Sequence, residues 1–394
     1  MRGVGMSRWT TRARVASAAM LSTVVLLGAA CGPQPGTPTT VPGPDTGPPT
    51  ISNFAAARTS GPAPLTTAFT WTVTDPDAQQ LICTLDFDGD DFFEVTVPTC
   101  TSASVRSATF ATPGSHTAKL RVTDGTTVVT SDLLALTVGP AVSDAFGITF
   151  RLNGTMTSSQ QATFTTAAAR WSQVIRSGLS DVSLSIPADD CGTGAPAFSG
   201  PIDDLLIDAS ITAIDGPGGI LGQAGPCYIR TTGGLPVYGI MQFDVADVAA
   251  LEASGGFESV ILHEMGHVLG FGTVWQSLVN GLGTSNPTFV GLTARGTWSW
   301  SSSANTSVPV EGGGGAGTAG SHWRESSLGN ELMTGYLNSG PNPLSKVTIG
   351  ALSDLGYGVD LAAADPFAGT AVRAPEGPAT QLHTELITPK GTVG

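Results

Sequence analysis

The residues best placed to do chemistry form a short motif near the middle of the chain. His263, Glu264 and His267 are the fixed positions of HEMGH, an instance of H-E-x-x-H. On a helix, the two histidines stack on one face and can bind one zinc ion, with Glu264 as general base. Such a motif also occurs by chance on surface helices. Here the apolar residues around it predict a buried helix, in which polar groups need partners.

A third metal ligand must come from farther along the chain. The short metzincin pattern places a third histidine six residues after the second, but Thr273 stands at that position. Of the five histidines, His116 lies in an N-terminal module and His383 in a polar tail, which leaves His322. A downstream glutamate is the alternative third ligand, and three are available: Glu311, Glu325 and Glu331.

Two features of the residues after HEMGH narrow the class of enzyme. Gly270 lies three residues after His267 and is expected to end the helix in the left-handed conformation. Met333 follows His322 by eleven residues, where it could form a Met-turn beneath the metal. The stretch HEMGHVLGFG, the long insertion, the lone His322 and Met333 together resemble the leishmanolysin-type metzincins, over residues 145–362.

This resemblance implies a zinc metalloendopeptidase with one catalytic zinc ion and a third histidine displaced by an inserted segment. The zinc ligands that it implies are His263, His267 and His322. It also implies Glu264 as the catalytic acid/base and Met333 as the Met-turn residue. Tyr336, which is close to Met333 in the sequence, is a candidate oxyanion donor.

Composition and charge argue against some classes of partner. Glycine (51 residues) and proline (27 residues) are abundant, and charged residues make up only 12% of the chain. These values are typical of a loop-rich secreted protein. The net charge is −14, so a nucleic-acid partner is not expected.

The N-terminus has the features of an export signal. Residues 1–30 combine a basic start with an apolar run short for a membrane span, which predicts a signal peptide. The small residues before Cys31 resemble a bacterial lipoprotein signal, so we expect Cys31 to carry a lipid that anchors the protein to a membrane. The alternative is ordinary cleavage that leaves Cys31 as an odd thiol. Residues 31–50 are rich in Pro, Gly and Thr and predict an extended linker.

The four remaining cysteines predict disulfide bonds, which an exported chain permits. Each of two pairs falls within one proposed domain. We therefore predict Cys83–Cys100 and Cys191–Cys227, although four cysteines allow three pairings.

Residues 51–139 predict an all-β sandwich, because short runs of alternating apolar and polar residues are separated by turn signals. Two stretches of this region resemble PKD or related immunoglobulin-like domains, which are usually spacers or binding modules. Asp86, Asp88 and Asp90 are candidate calcium ligands in DFDGDD, and a solvated acidic turn is the alternative.

Residues 140–362 predict an α+β catalytic domain of metzincin type, with the order strand, helix, strands, zinc helix. The fold class is thus multidomain, with the sandwich first. In such enzymes the substrate extends the sheet at an edge strand. We expect Val237–Phe243 to include that edge, with Gly239 admitting a peptide backbone; a plain core strand is the alternative. Residues 363–394 predict a polar, mobile tail.

The function predicted from these features is a zinc-dependent metalloendopeptidase that acts on proteins or peptides. It would be an exported lipoprotein of the cell envelope, facing outward or periplasmic, or else secreted. A catalytically inactive surface adhesion or binding protein on the same scaffold is the alternative, although the intact Glu264 speaks against it. A metal-dependent hydrolase of non-peptide substrates is a third class.

Overall fold

The computed structural model of the protein describes residues 47–76, 80–98, 100, 104–141, 144–298, 307–367, 380–382 and 384–394. The predicted signal peptide, Cys31, most of the predicted linker and His383 lie outside the described residues. Among the residues that are described, no helix is both long enough and apolar enough to cross a membrane.

The N-terminal part consists of two sheets that share one apolar core. Within the described residues, its strands are β1 (Thr50–Ala56), β2 (Ser60–Pro62), β3 (Leu65–Thr74), β4 (Ile82–Asp86), β5 (Val95–Val97), β6 (Ser104–Phe110), β7 (Gly114–Thr123), β8 (Val128–Thr130) and β9 (Leu134–Gly139). One sheet has the order β1-β3-β6, and the other β2-β9-β7-β4-β5 with β8 beside β7. Alternate residues of β3 and β7 point into the core, as the two-residue period of a strand requires.

The part predicted to be catalytic, residues 140–362, is called the catalytic part below and begins with a sheet and helices. These elements are β10 (Ile148–Asn153), α1 (Ser158–Val174), β11 (Val182–Ile186), β12 (Phe198–Ile202), β13 (Leu205–Thr212), β14 (Gly222–Arg230), β15 (Pro236–Asp244), α2 (Val245–Ser254) and α3 (Phe257–Val268). Strands β10, β13 and β15 are parallel neighbours, and β14 runs antiparallel to β15. A single core cluster contains α1, α3 and one face of this sheet, and the β11–β12 hairpin packs with the other face.

Both predicted disulfide bonds are present. Cys83–Cys100 lies in the core of the sandwich, where the indole nitrogen of Trp71 donates to Cys100 Sγ at 3.1 Å. Cys191–Cys227 links the loop after β11 to strand β14.

The prediction that Val237–Phe243 forms the edge of the sheet is wrong. These residues belong to β15, which is bonded to β13 on one side and to β14 on the other, and every residue of β15 is buried. A Cβ placed on Gly239 would lie 2.4 Å from Val268 Cγ1 and 2.9 Å from the Gly225 carbonyl oxygen. Gly239 therefore admits helix α3 and strand β14 at close range, which is why a glycine stands there.

The rest of the chain adds short elements around the end of α3. They are β16 (Val279–Asn280), β17 (Thr288–Phe289), α4 (Leu292–Trp298), β18 (Val308–Pro309), α5 (Glu325–Leu328), β19 (Tyr336–Leu337), α6 (Lys346–Leu355), β20 (Thr380–Gln381), β21 (Thr384–Leu386) and β22 (Gly391–Val393). The last three strands correct the prediction of a mobile tail. β21 and β22 pair with β14, and Ile387 and Val393 pack against the core beside it.

The sandwich is packed against the catalytic part within one compact unit, 44–394. Ser107 Oγ in β6 donates to the carbonyl oxygen of Thr293 in α4 at 3.0 Å. Thr66 Oγ1 in β3 donates to the Val359 carbonyl oxygen at 2.8 Å. The N-terminal strands thus touch the segment inserted between HEMGH and His322.

Candidate metal centre

Helix α3 and a later loop bring three histidines to one point. His263 and His267 are four residues apart on α3, so their side chains lie on one face. The Nε2 atom of His322 is 3.0 Å from the Nε2 atoms of both, and those two atoms are also 3.0 Å apart. All three residues are buried and could hold one metal ion.

Backbone carbonyls orient each ring through its other nitrogen. His263 Nδ1 lies 2.7 Å from the Leu332 carbonyl oxygen, and His267 Nδ1 lies 2.9 Å from that of Phe271. His322 Nδ1 is 3.2 Å from the carbonyl oxygen of Thr318. A carbonyl can only accept, so each Nδ1 carries the proton and each Nε2 directs a lone pair at the other two.

Three converging lone pairs repel one another unless a cation lies among them. Burial lowers the pKa of His263 to about 4 and that of His322 to about 3. Burial, reinforced by the two neighbouring histidines, also sets the pKa of His267 well below its usual value. The imidazoles are therefore neutral at pH 7, which is the form that binds a metal. The donor set suits zinc, which binds neutral imidazole nitrogens at about 2.0–2.1 Å.

The end of α3 is shaped by glycines, as the sequence predicts for Gly270. Helix α3 ends at Val268, and Gly270 has a φ of 107°, within the left-handed region. Thr273, which occupies the position of the third histidine in the short pattern, instead donates through Oγ1 to the His267 carbonyl oxygen at 2.7 Å.

The inserted segment folds back so that its end meets its beginning. A Cβ on Gly272 would lie 2.3 Å from the Ser321 carbonyl oxygen, so the backbone before His322 rests on this glycine. The indole nitrogen of Trp275 donates to the Gly320 carbonyl oxygen at 3.0 Å, and the amide of Glu311 donates to that of His322 at 2.8 Å. These hydrogen bonds hold His322 next to His267 on the helix, although the two residues are 55 positions apart in the sequence.

Met333 lies directly under the helix that carries the motif. A Cβ on Gly266, between the two helix histidines, would be 2.7 Å from Met333 Sδ, so the glycine lets the methionine pack against α3. Met333 is fully buried. The residue before it supplies the carbonyl oxygen that orients His263.

Glu264, the residue after His263 on α3, carries a buried carboxylate. Among the described residues, neither of its oxygens has a hydrogen-bond partner, and burial raises the pKa of Glu264 to about 8. An unpartnered buried carboxylate is costly unless a cation or a water satisfies it. A cation at the adjacent histidines would favour the charged form, so this side chain fits a metal site with a free position.

The three alternative glutamate ligands are engaged elsewhere. Glu311 Oε1 accepts from the amides of Gly312 and Gly313, each at 3.0 Å, and Glu325 Oε1 accepts from Asn338 Nδ2 at 3.0 Å. None of the three belongs to the histidine cluster.

Glu331 has a structural role that the sequence does not reveal. Its buried carboxylate accepts from the amides of Met333 (2.6 Å) and Ser345 (3.0 Å), and from the hydroxyl groups of Ser345 (2.7 Å) and Thr348 (2.5 Å). Four donors thus tie the Met333 turn to the start of α6. A sequence motif cannot show this, because three of the four donors belong to Ser345 and Thr348, 14 and 17 residues farther along the chain.

The remaining candidate residues are Tyr336 and three aspartates of the sandwich. Tyr336 is half-buried in β19, beside β20, and its role as an oxyanion donor stays a prediction. Asp86, Asp88 and Asp90 cluster with Glu94 in the sandwich. Asp86 accepts from the amides that follow it in the turn, which agrees with an acidic turn.

Residues 199–371 match the family model Peptidase_M8, described as leishmanolysin. This region is similar to the leishmanolysin family. The resemblance predicted from HEMGH, His322 and Met333 is thereby confirmed. The family is zinc-dependent, and the match supports a metallopeptidase in general.

The chain was also compared with solved structures and with curated proteins. A solved PKD domain of an M14-like peptidase from Thermoplasmatales archaeon SCGC AB-540-F20 is similar to part of the chain, with 23% sequence identity and a TM-score of 0.21. The similarity covers 24% of this chain and 97% of that one. No curated protein matches the sequence.

Proposed function

We propose that the protein is a zinc-dependent metalloendopeptidase with one catalytic zinc ion. The observation that carries the proposal is the convergence of three neutral, carbonyl-oriented imidazoles, two of them on the helix that also carries Glu264, a buried carboxylate without a hydrogen-bond partner among the described residues. The leishmanolysin match supports the same reaction. The proposed zinc ligands are His263, His267 and His322.

The chain's own groups suggest how peptide hydrolysis would proceed. A bound zinc ion supplies Lewis acidity, which acidifies a water and polarises the scissile carbonyl. Glu264 accepts the proton of the attacking water and then donates it to the leaving amine. The carbonyl contacts at each Nδ1 hold the three rings in place throughout, and Met333 supports α3 from below.

Export and anchoring are part of the proposal. The signal-like residues 1–30 and Cys31 support a lipoprotein of the cell envelope, with secretion as the alternative. Two disulfide bonds agree with an oxidising compartment. Substrates would then be proteins or peptides outside the cytoplasm.

The substrate class is tested with a panel of unfolded peptides set against small esters, using the zinc-loaded protein and its Glu264→Gln variant. We expect cleavage of peptides by the wild type alone. Turnover of esters without peptide cleavage would favour a non-peptide hydrolase. A folded, zinc-loaded protein that cleaves neither would favour the binding-protein alternative.

A further inference from the structure

The outer strand of the catalytic sheet is covered by the C-terminal segment, which we define as residues 380–382 and 384–394. Strand β21 pairs with the first three residues of β14, and β22 pairs with its last three. Between them, the amide of Ile387 donates to the Ala224 carbonyl oxygen at 2.9 Å. The segment therefore follows β14 from one end to the other.

The same segment also pairs with the chain just after Met333. β20 pairs with β19, and the amide of Leu382 donates to the Gly335 carbonyl oxygen at 2.9 Å. Gly335 lies beside the metal centre, since a Cβ placed on it would be 3.8 Å from Cγ of His322. Leu382 is only 1% exposed and belongs to the core cluster that includes Met333.

These two anchors are separated by very little chain. Thr384, two residues after Leu382, is already opposite Gly222 on β14. Two residues of extended chain span at most about 7 Å. The anchor at Gly335, beside His322, and the anchor at Gly222 on β14 are therefore at most one short step of chain apart.

A sheet edge beside a catalytic metal is where an extended peptide can add as a further strand. On β14, the backbone groups that such a peptide would use are bonded to the C-terminal segment. The metal centre is also closed to solvent, because the three histidines and Glu264 are each at most 1% exposed.

We propose that the C-terminal segment is an intramolecular occupant of the peptide-binding cleft, and that substrate enters only when this segment is displaced. This inference rests on the proposed peptidase function and adds a means of regulation to it. The segment runs parallel to β14 and keeps the cleft in a closed state.

The contacts that hold the C-terminal segment on β14 are weak enough for the segment to be displaced reversibly. Ile387 and Val393 are only half-buried, and the Lys390–Asp190 ion pair, with Nζ and Oδ1 3.1 Å apart, is partly exposed. A partly exposed ion pair contributes little to stability. Leu382 is the one fully buried anchor within the described residues of this segment.

The first test follows the segment without altering it. Deuterium uptake by residues 384–394 is measured by mass spectrometry in zinc-loaded Glu264→Gln protein, with and without saturating fluorescein-labelled casein. We expect uptake to rise when casein binds, because the β14 bonds of the segment are released. Unchanged uptake while casein is bound would overturn the proposal.

The second test weakens the segment and measures casein affinity by fluorescence anisotropy in the same Glu264→Gln background. Leu382→Asp removes the buried apolar side chain of the segment. Ile387→Pro removes the amide that donates a hydrogen bond to the Ala224 carbonyl oxygen. If the cleft is open about one time in ten in the parent protein, each change tightens binding about tenfold. Val128→Asp, at a 62% exposed position of the sandwich, is the matched control and should change nothing.

The outcomes separate this inference from the proposed function. Casein that binds with equal affinity to all folded variants overturns the closed-cleft proposal and leaves the peptidase proposal standing. Casein that neither binds to nor is cleaved by the wild type, Leu382→Asp or Ile387→Pro, all zinc-loaded, overturns both. Because Ile387 is only half-buried, its variant keeps the test decisive if Leu382→Asp fails to fold.

Discussion

At the residue scale, the metal centre is oriented by backbone atoms. Each histidine donates from Nδ1 to a main-chain carbonyl oxygen. His263 donates to the carbonyl oxygen of Leu332, and His267 donates to that of Phe271. These contacts fix each ring so that its Nε2 atom faces those of the other two.

His322→Ala should lose most of the bound zinc, because two imidazoles cannot complete a three-nitrogen site. Zinc content per chain, measured by mass spectrometry after dialysis, checks this. His116→Ala is the control, since His116 lies in the sandwich and contacts the Thr112 carbonyl oxygen. Full zinc retention by His322→Ala would return the third-ligand role to one of the glutamates.

Glu331→Ala should destabilise the protein strongly. The change strands buried donors from Met333, Ser345 and Thr348, and each unsatisfied buried group costs about 1–3 kcal/mol, so a loss of about 3 kcal/mol or more is expected. Urea unfolding measures the loss. Glu258→Ala, at an exposed position in the first turn of α3, is the control, and equal stability of the two variants would contradict this role.

Much of the candidate centre could be predicted from residue types and spacing. The i, i+4 pair, Glu264 and the elimination of other histidines indicate the cluster that the structure assembles. The sequence presents Glu331 only as a candidate ligand, because its partners Ser345 and Thr348 are brought to it by the packing of α6. Spacing along the chain does not encode such a contact.

At the element scale, Asp244 joins strand β15 to helix α2. It caps α2 through the Ala246 amide at 2.8 Å and accepts from the amides of residues 214–216. The amide of Ala246, followed by the other amides, lowers the pKa of Asp244. The carboxylate therefore ties the loop before β14 to the start of α2.

This interaction predicts a pH-dependent contribution to stability. Because the pKa of Asp244 is lower in the folded protein than in the unfolded protein, the ionised carboxylate stabilises the fold above the unfolded pKa of about 3.9. This stabilisation is lost as the pH falls through the folded pKa. Asp244→Asn replaces the oxygen that accepts from the amides of residues 214–216 with an NH2 donor, so it should lower the free energy of unfolding by about 1–3 kcal/mol at pH 7 and by less at pH 3. Urea unfolding at both pH values checks this; an equal deficit at both would contradict it.

The sequence predicts elements better than it predicts their neighbours. The predicted order of a strand, a helix, further strands and the zinc helix is found as β10, α1, β11 to β15 and α3, with α2 added before α3. Periodicity could not show that β15 is central or that 380–394 supplies strands, because pairing partners lie far apart in the chain. The few apolar residues of that segment, such as Ile387 and Val393, are too sparse to produce a strand signal.

At the scale of the whole molecule, the sandwich contacts the inserted segment of the catalytic part. A Cβ on Gly296 of α4 would lie 2.8 Å from the Ser107 amide nitrogen and 3.0 Å from the Arg106 carbonyl carbon, both in β6. The interface therefore depends on backbone-to-backbone contact. A mere spacer would need no such fit.

Gly296→Ala should weaken this interface although alanine favours a helix by about 1 kcal/mol. The clash is with backbone, which cannot move aside, so we expect a net loss of about 1–3 kcal/mol. Calorimetry should show a lower Tm or two separate transitions. Gly313→Ala, where the nearest atom is 3.6 Å away, is the control, and an unchanged transition in Gly296→Ala would contradict the packed interface.

The central claim is that His263, His267 and His322 hold a zinc ion with which Glu264 cleaves peptides. The most direct measurement is digestion of unfolded casein by the wild type and by Glu264→Gln, with and without a chelator, with zinc content determined in the same samples. We expect Glu264→Gln to keep zinc and to lose about 10²–10⁴-fold in rate, since general acid–base catalysis contributes that much. We also expect the chelator to abolish wild-type cleavage. Undiminished cleavage by the zinc-loaded variant, or by the metal-free wild type, would contradict the account.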